Sequence, residues 1–291
     1  MTVPIHLNER IAVIGGGQMA RALIGGWIAA GLSPEQIVVA DPAQAQLNWF
    51  QEHFPQVACT ADNAQAAANA KIWLLAVKPQ LLAPVACALK ALAQRQQPLV
   101  ISIVAGIHAT NIVRWLGPVT LIRTMPNRPA FVGAGITALH AASEVPALGR
   151  DVATNLLAAV GRVVWVEHEQ QLDLVTAISG SGPAYFFLLM EALETAAIAR
   201  GLTPQIAREL VLHTASGAAK LALQSLDDPA TLRAQVTSKG GTTAAAVAVF
   251  EEAQLGKIVD RAVAAAAQRS VLLAREFGDI DLDPTRDPAN A

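Results

Sequence analysis

The sequence is poor in cysteine, in tyrosine and in charge, and each shortage excludes a class of protein. Its 291 residues include 2 cysteines and 1 tyrosine, and 15% of them are charged. Cys59 and Cys87 lack C-x-x-C spacing, and the 6 histidines show no H-x-x-x-H pairing, so no metal is expected. With 21 basic and 23 acidic residues the formal net charge is -2, which leaves no basic surface for nucleic acid. The composition therefore favours a small-molecule partner.

Long apolar runs are also missing, although 53% of the residues are hydrophobic. Runs such as residues 184–190 and 244–250 are far shorter than the roughly 18 residues that a membrane-spanning helix needs. Much of the hydrophobicity comes from alanine, which favours close helix packing and buried subunit contacts over a membrane. No secretory signal precedes the first predicted strand, and together with the two unpaired cysteines this predicts a cytoplasmic location.

A short apolar strand and the glycine-rich turn after it organise the first half of the chain. Ile11, Ala12, Val13 and Ile14 form a run typical of a buried parallel strand, and Gly15-x-Gly17-x-x-Ala20 follows at once. In a dinucleotide fingerprint the first glycine makes a tight turn, the second admits a pyrophosphate, and a small third residue lets helix and strand pack closely. A plain turn between a strand and a helix is the alternative.

The helix predicted after this turn, residues 18–30, ends at Gly31. Its free N–H groups and the positive end of its dipole would point at the phosphates. The predicted cofactor contacts of this segment are Gly15, Gly17, Gln18, Met19 and Ala20.

Asp41 ends the next predicted strand, residues 37–40, where an acidic side chain usually binds the ribose 2′-hydroxyl. That interpretation favours NADH, because the carboxylate would repel a 2′-phosphate. The alternative is that Pro42 opens a helix reaching about His53 and that the carboxylate caps this helix, which leaves room for NADPH.

Strand and helix patterns then alternate as a doubly wound sheet requires. Further strands are predicted at residues 56–60, 72–77, 98–104, 119–124 and 162–166, with an edge strand at 132–140, and helices at 64–70 and around 155–159. Ligands of an open α/β sheet bind outside the carboxyl ends of its strands. The residues predicted to face the cofactor there are Ala76, Val77, Lys78, Pro79, Ala105 and Gly106. For Lys78 and Pro79 the alternative is that they only end a strand and start a helix.

From about His168 the pattern is helical, with no convincing strand. Helices are predicted at residues 185–200, 204–223, 242–252 and 257–277, with Gly201 and Gly256 as stops and residues 281–291 as a loose tail. Several of these helices are apolar around most of their circumference and need cover from a second subunit. The sequence therefore predicts an α/β chain, with a Rossmann-type doubly wound domain over residues 1–167 and an all-helical dimerisation domain over residues 168–291.

Two stretches of the helical half have the composition of binding sites. Residues 178–185, I-S-G-S-G-P-A-Y, make a small-residue turn into a helix, which suits either ligand contact or a close helix crossing. Residues 237–243, T-S-K-G-G-T-T, lead into an apolar helix and suit an anion, because glycines open the backbone and threonines add hydroxyl donors. A plain helix cap is the alternative, but one threonine would suffice for it.

The motifs resemble those of pyrroline-5-carboxylate reductases nearly end to end. They run from I-G-G-G-Q-M-A through L-L-A-V-K-P-Q, S-I-V-A-G-I and R-T-M-P-N to A-I-S-G-S-G-P-A-Y and V-T-S-K-G-G-T-T. Lys239 departs from the pattern, because many members have proline there; its side chain either adds charge near the anion or points to solvent. The resemblance implies hydride transfer from NADPH, with NADH also accepted, to the C=N carbon of pyrroline-5-carboxylate, a cyclic imino acid, giving proline.

The resemblance also implies an assembly and a set of site residues. The assembly is a helical homodimer, which can combine into a ring of five dimers. Ser238 and the amides of Gly241, Thr242 and Thr243 would bind the substrate carboxylate, and Thr243 would also reach the ring nitrogen, so Ser238 and Thr243 are the predicted catalytic residues. Asn63 would lie near the adenosine ribose. A protonated cyclic iminium already accepts hydride well, so positioning and water exclusion are the enzyme's main tasks.

Other dinucleotide-binding proteins fit less well. A β-hydroxyacid dehydrogenase also joins a Rossmann domain to a helical one. Enzymes of that class have a lysine four residues after the last glycine of their glycine motif, and this chain has Phe186 at that position. A short-chain dehydrogenase needs Tyr-x-x-x-Lys, and the single tyrosine, Tyr185, is followed at that spacing by Leu189. A nucleotide-sensing regulator is the non-enzymatic alternative, since fold does not fix function. The turn from Ser238 to Thr243 argues against it.

Overall fold

A computed structural model of the chain describes Ile5 and residues 7–278. The chain divides into two compact units: the first reaches to Gly180 and takes up the chain again from Ala266, and the second is Ser181–Ala265. The predicted domain boundary after residue 167 stays a prediction. The predicted tail at residues 281–291 lies outside the described residues.

An eight-stranded sheet forms the centre of the first unit, in the order β3-β2-β1-β4-β5-β6-β7-β8. The strands are β1 Ile11–Ile14, β2 Ile37–Ala40, β3 Ala58–Thr60, β4 Ile72–Leu75, β5 Leu99–Ser102, β6 Thr120–Met125, β7 Gly135–Ala141 and β8 Gly161–Trp165. Neighbours pair in parallel, except that β6 and β7 are antiparallel. The predicted doubly wound α/β sheet is confirmed.

Both faces of this sheet are buried, as the continuous apolar strands predicted. Ile11 and Val13 of β1 pack into one core with Trp27, and Ala12 and Ile14 pack into the core on the other face. The helices of this unit are α1 Gln18–Ala29, α2 Gln44–His53, α3 Asn63–Ala67, α4 Pro79–Gln96, α5 Ala109–Leu116, α6 Ala147–Ala158 and α7 Gln171–Val175.

The edge strand predicted at residues 132–140 is wrong in its place in the sheet. β7 lies between β6 and β8, so β8 is the edge strand at this end of the sheet. The two strands approach so closely that a Cβ on Gly161 would overlap the carbonyl group of Gly135. Because two glycines permit this approach, the last strand can pair with β7 and cover its edge.

The helix predicted to open at Pro42 begins instead at Gln44. Ala43 has an extended backbone (φ -85°, ψ 110°), and its amide donates to the Asp41 carboxylate rather than lying inside the helix. Asp62, by contrast, caps α3, because its side chain accepts from the Ala64 and Gln65 amides.

The second unit is helical, and the described part of the chain beyond His168 has no strand. Its helices are α8 Gly182–Ala199, α9 Pro204–Gln224, α10 Pro229–Gln235, α11 Thr242–Glu252 and the first part of α12 Leu255–Gly278. The helix predicted at residues 242–252 has these bounds. The predicted stop at Gly256 is wrong: Gly256 lies inside α12, and the chain turns at Gln254, whose φ of 55° is left-handed.

Within the described residues, one helical stretch, Gln171–Ala199, is long and apolar enough to cross a membrane by length and composition alone. The prediction that no such stretch exists is therefore wrong. It counted uninterrupted apolar runs, whereas a helix can continue through the polar residues that separate those runs. One helix of this kind is weak evidence for a membrane.

Candidate functional site

The carboxyl ends of the parallel strands bring the predicted cofactor residues to one edge of the sheet. Gly15, Asp41 and Ala76 directly follow β1, β2 and β4, while Asn63 and Ala105 lie a few residues beyond β3 and β5. The strand order reverses between β1 and β4, and ligands of such sheets bind outside that point. The fold thus places Gly15 where ligands of such sheets bind.

Gly15 can only be glycine in this structure. Its φ is +105°, and a Cβ there would lie 2.7 Å from the carbonyl oxygen of Ala76. The Gly15 amide donates to the Ala40 carbonyl at 2.8 Å, and the Ala76 amide donates to the Ile14 carbonyl at 2.8 Å. The glycine turn and the start of the 76–79 segment therefore pack directly against each other.

Gly17 leaves space for a ligand at the start of α1. It is the N-cap residue, no side chain caps the helix there, and a Cβ on Gly17 would meet nothing within 4 Å. Gln18 is exposed at the first helical position, and Met19 is half-buried against the core. Ala20 is buried, as close helix–strand packing requires. Free N–H groups and an open approach fit a pyrophosphate.

The Asp41 carboxylate braces the glycine turn. One of its oxygens accepts the Gly16 amide at 2.8 Å, and the other accepts the Ala43 amide at 2.8 Å. Both carboxylate oxygens therefore bind backbone N–H groups near the turn. The alternative in which Asp41 caps a helix opening at Pro42 is not realised, because α2 starts later.

Lys78 and Pro79 end the segment after β4 and begin a helix. Lys78 is the N-cap residue of α4, Pro79 is its first residue, and no side chain caps it. Ala76 and Val77 are half-buried, whereas Lys78 is exposed. Starting a helix and facing a ligand at the strand ends are compatible roles for this segment.

Ala105 and Gly106 lie in the loop between β5 and α5. At its start, the Ile103 amide donates to the Leu75 carbonyl at 3.1 Å. Gly106 has φ +75°, and a Cβ there would lie 3.5 Å from the Ser270 carbonyl oxygen of α12. The loop is thus packed between β4 and the end of α12.

A buried ion pair that the sequence did not reveal lies at the far end of this loop. One oxygen of the Glu169 carboxylate accepts the Ala109 amide at 2.6 Å and an Arg123 Nη1 donor at 2.6 Å. His108 Nδ1 lies 3.8 Å from the same oxygen. An arginine inside the apolar strand T-L-I-R-T-M is the signal that could have indicated a carboxylate partner, since buried arginines are nearly always paired.

The Glu169 carboxyl is ionised more readily than an ordinary glutamate. Desolvation by burial raises its pKa, but the Ala109 amide and the charge and hydrogen bond of Arg123 together outweigh it, so the net pKa is lowered. The Arg123 side chain is 6% exposed and that of Glu169 is 17% exposed, so solvent screens this pair weakly.

The small residues before α8 serve close packing. Residues Thr176–Gly180 form a π-helical turn, and a Cβ on Gly180 would lie 2.7 Å from Met125 Cε. Asn127 Nδ2 donates to the Ser179 carbonyl at 3.1 Å. Of the two interpretations of this segment, these contacts favour the packing one.

In the second unit, the predicted substrate residues gather at the start of α11. Gly240 has φ +74°, and the Gly241 amide donates to the Ser238 carbonyl at 3.0 Å, which closes a turn. Gly241 is the N-cap residue, and no side chain caps the helix. A Cβ on Gly241 would lie 2.5 Å from Ser238 Oγ, so that hydroxyl lies beside the helix N-terminus. Thr242 is exposed and Thr243 half-buried in the first turn.

This end of α11 can hold an anion. Its first N–H groups have no partner within the helix, and the positive end of the helix dipole adds to their attraction for a carboxylate. Lys239 is exposed in the turn. In the part of the chain that the structure describes, no group of three or more His, Cys, Asp or Glu side chains could hold a metal ion.

The sheet, its glycine turn and the helical second half define a Rossmann-type dinucleotide-dependent oxidoreductase. A family model described as "NADP oxidoreductase coenzyme F420-dependent" matches residues 10–106, and one described as "Pyrroline-5-carboxylate reductase dimerisation" matches residues 169–273. A pyrroline-5-carboxylate reductase of Pseudomonas aeruginosa is 44% identical, over 93% of this chain and 99% of its own length. The chain belongs to the pyrroline-5-carboxylate reductase family.

Further relatives agree in sequence and in fold. The reductase of Haemophilus influenzae is 43% identical over 90% of this chain and 97% of its own. The solved structure of a pyrroline-5-carboxylate reductase from Coxiella burnetii has a TM-score of 0.86 at 40% identity and covers 92% of this chain and 99% of its own. That of Plasmodium falciparum, with NADP bound, has a TM-score of 0.82 at 26% identity, covering 92% and 98%.

The dimerisation match explains the apolar character of the second unit. Phe186, Phe187 and Leu188 of α8 are 65%, 60% and 67% exposed within one chain. They belong to the segment matched by the dimerisation model, which shows that the chain oligomerises, and exposed apolar side chains of this kind are typical of a subunit contact. The apolar stretch Gln171–Ala199 lies within this matched segment.

Proposed function

We propose that this chain transfers hydride from NAD(P)H to the C=N carbon of pyrroline-5-carboxylate and so forms proline. The proposal rests on one observation: this chain has both an element suited to the cofactor and an element suited to the substrate. The first is a turn at Gly15 that only glycine can make, and the second is an uncapped helix N-terminus at Gly241. Initial rates with pyrroline-5-carboxylate, using NADH and NADPH in parallel, test it. No turnover with either nicotinamide would overturn it.

The first unit would hold the cofactor. Gly15, Gly17 and Ala20 let the backbone approach the pyrophosphate, with Gln18 and Met19 beside it, and the start of α1 supplies N–H donors. Asn63 serves the adenosine ribose end, while the Asp41 carboxylate holds the Gly16 amide of the glycine turn. The nicotinamide would lie against Ala76, Val77, Lys78, Pro79, Ala105 and Gly106. A bound reduced nicotinamide supplies the hydride.

The second unit would hold the substrate. Ser238 Oγ and the amides of Thr242 and Thr243 bind the carboxylate, and the lack of a side-chain cap on α11 supports this role. The Gly241 amide, also predicted as a donor to the carboxylate, already donates to the Ser238 carbonyl at 3.0 Å. The Thr243 hydroxyl accepts a hydrogen bond from the protonated ring nitrogen. This bond orients the iminium carbon, and it realigns as the nitrogen loses its positive charge, gains a lone pair and becomes the amine of proline.

Such a site needs little acid–base chemistry. The iminium carries its proton before hydride arrives, so the ring nitrogen needs no further proton to become a neutral amine. The residues of this chain act by orienting two reactants and excluding water. Such positioning can lower the activation barrier by at most about 7–11 kcal/mol. No catalytic histidine is required.

The proposal extends to cofactor preference, assembly and location. Both cofactors are accepted, NADPH somewhat better, because the Asp41 carboxylate is already engaged by the Gly16 and Ala43 amides. The oligomer is a homodimer, which can combine into a ring of five dimers. The dimer is supported by the second unit, which buries very few of its side chains within one chain. A cytoplasmic location is consistent with Cys59 and Cys87, which are both free thiols.

A further inference from the structure

The loop that carries Ala105 and Gly106 is anchored at both ends. Upstream, the Ile103 amide donates to the Leu75 carbonyl at 3.1 Å, which is a backbone bond between neighbouring strand ends. Downstream, the Ala109 amide donates to the Glu169 carboxylate at 2.6 Å, across 60 residues of sequence. The downstream anchor is therefore a single side chain from a distant segment.

The same bond caps α5. His108 is the N-cap residue of α5 but its own side chain makes no capping hydrogen bond. Glu169 supplies the missing acceptor, and its negative charge is favoured at the positive end of the helix dipole. Because the loop runs straight into this helix, fixing the first turn of α5 also fixes the end of the loop.

The carboxylate of Glu169 is itself held in place. Arg123 on β6 donates to the same oxygen at 2.6 Å and has a side chain only 6% exposed. His108 Nδ1 lies 3.8 Å away on the side of the loop. A buried carboxylate fixed by an arginine on a central strand gives the loop a rigid reference point.

We propose that Glu169 is a positioning residue for the nicotinamide, because its bond to the Ala109 amide sets where Ala105 and Gly106 meet the ring. The inference rests on the proposed function, in which this loop lines the nicotinamide. Glu169 acts through the loop and needs no contact with the cofactor or the substrate. Its effect should be confined to the nicotinamide end of the cofactor.

The test compares two ligands that differ in having a nicotinamide. In Glu169→Gln the dissociation constant of NADPH should rise about tenfold, the typical effect of weakening one hydrogen bond to a charged group, and kcat should fall. The constant for adenosine 2′,5′-bisphosphate, which has no nicotinamide, should change less than about twofold. Glu167→Gln, an exposed carboxylate two residues upstream, is the matched control and should change neither. Equal weakening of both ligands, or of neither, would overturn the inference.

A double variant separates positioning from stability. Glu169→Gln leaves Arg123 buried without a counter-charge, and Arg123→Met in the same chain removes the arginine charge. We expect the double variant to recover Tm while the NADPH defect persists. If NADPH affinity returns together with Tm, Glu169 has only a structural role.

Ala105→Leu distinguishes failure of this inference from failure of the proposed function. A larger side chain there should weaken NADPH but not adenosine 2′,5′-bisphosphate if the loop lines the nicotinamide. An unchanged NADPH affinity in Ala105→Leu would overturn both the loop's assignment and the role of Glu169. An effect in Ala105→Leu with none in Glu169→Gln would overturn the role of Glu169 alone.

Discussion

The two compact units of this chain bury their apolar side chains to very different degrees. In the first, Trp27 and Trp73 are 1% and 0% exposed in the cores on the two faces of the sheet. In Ser181–Ala265, only Gly182 and Ala207 are buried. The first unit completes its core within one chain, and the second cannot.

The two units also differ in their proposed roles, because the first would bind the cofactor and the second the substrate. The glycine turn belongs to the unit with its own core, whereas the turn at Ser238 belongs to the unit that another subunit must complete. Exposed apolar area does not stabilise the fold. Burying it against a second surface does, by about 25 cal/mol for each Å² buried. Substrate binding should therefore depend on assembly more than cofactor binding does.

The most severe test of this comparison places a charge on the apolar face of α8. In Leu188→Glu the side chain, 67% exposed in one chain, would carry an unpaired carboxylate into the subunit contact. A buried uncompensated charge costs about 3–5 kcal/mol, so we expect loss of the oligomer and of nearly all activity. Light scattering and initial rates measure the two effects.

Val132→Glu is the matched control in the first unit. Val132 is 79% exposed after β6, outside the second unit, and its substitution should leave mass and activity unchanged. Full activity at the mass of one chain in Leu188→Glu would refute the dependence on a second subunit.

A smaller effect is expected when the chemistry of the second unit is changed without its assembly. Thr243→Ala removes the hydroxyl proposed to bond the ring nitrogen, a bond that changes as the imine becomes an amine. A hydrogen bond to a charged group is worth about 1.5–3 kcal/mol, so kcat/KM should fall about tenfold to a hundredfold, with kcat reduced. Steady-state kinetics with saturating NADPH measures it.

Ser238→Ala is the comparison for this variant. A carboxylate contact is equal in the ground and transition states, so its loss should mainly raise KM for pyrroline-5-carboxylate. NADPH affinity should stay nearly constant in both variants. An unchanged kcat in Thr243→Ala contradicts the assigned roles. So does a loss of cofactor affinity that exceeds the loss of substrate affinity in either variant.

The features that could be predicted from the sequence are those that neighbouring residues specify. The strand and turn ending at Gly17 and the bounds of α11 follow from adjacent residues, and both were predicted. The need for a second subunit follows from helices apolar on several faces. Features set by distant partners were missed: the pairing of β8 with β7, and the contact of Glu169 with Ala109 across 60 residues. Local patterns do not specify which side chain will meet a backbone amide from so far away.

Asp41→Ser tests the first unit alone and should have a modest effect. It removes the acceptor of the Gly16 amide, and one such bond is worth about 1 kcal/mol, so KM should rise about fivefold for NADPH and NADH alike. KM for pyrroline-5-carboxylate should stay constant. A strong NADH preference in the unsubstituted enzyme that disappears in Asp41→Ser would show instead that this carboxylate binds the ribose.

The smallest expected effect compares one carboxylate from each unit under acid. The pKa of Glu169 is lowered in the folded chain despite burial, through Ala109 and Arg123, and that of Asp228 is lowered by the Thr231 amide at the start of α10. A lowered pKa contributes stability above the unfolded value, about 4.3 for glutamate, and the contribution is lost as pH falls through the folded value.

The Tm difference between the unsubstituted enzyme and Glu169→Gln should therefore be largest near neutral pH and shrink in acid. A contribution of about 1 kcal/mol corresponds to about 2–4 °C for a chain of this size. Asp228→Asn should show a much weaker trend, because Asp228 is exposed and solvent screens its charge. The basic side chains that face Glu169 are those of His108 and Arg123, and the expected loss comes from protonation of the carboxylate itself. A Tm difference independent of pH between pH 7 and about pH 3 would mean that Glu169 acts through its shape and not its charge.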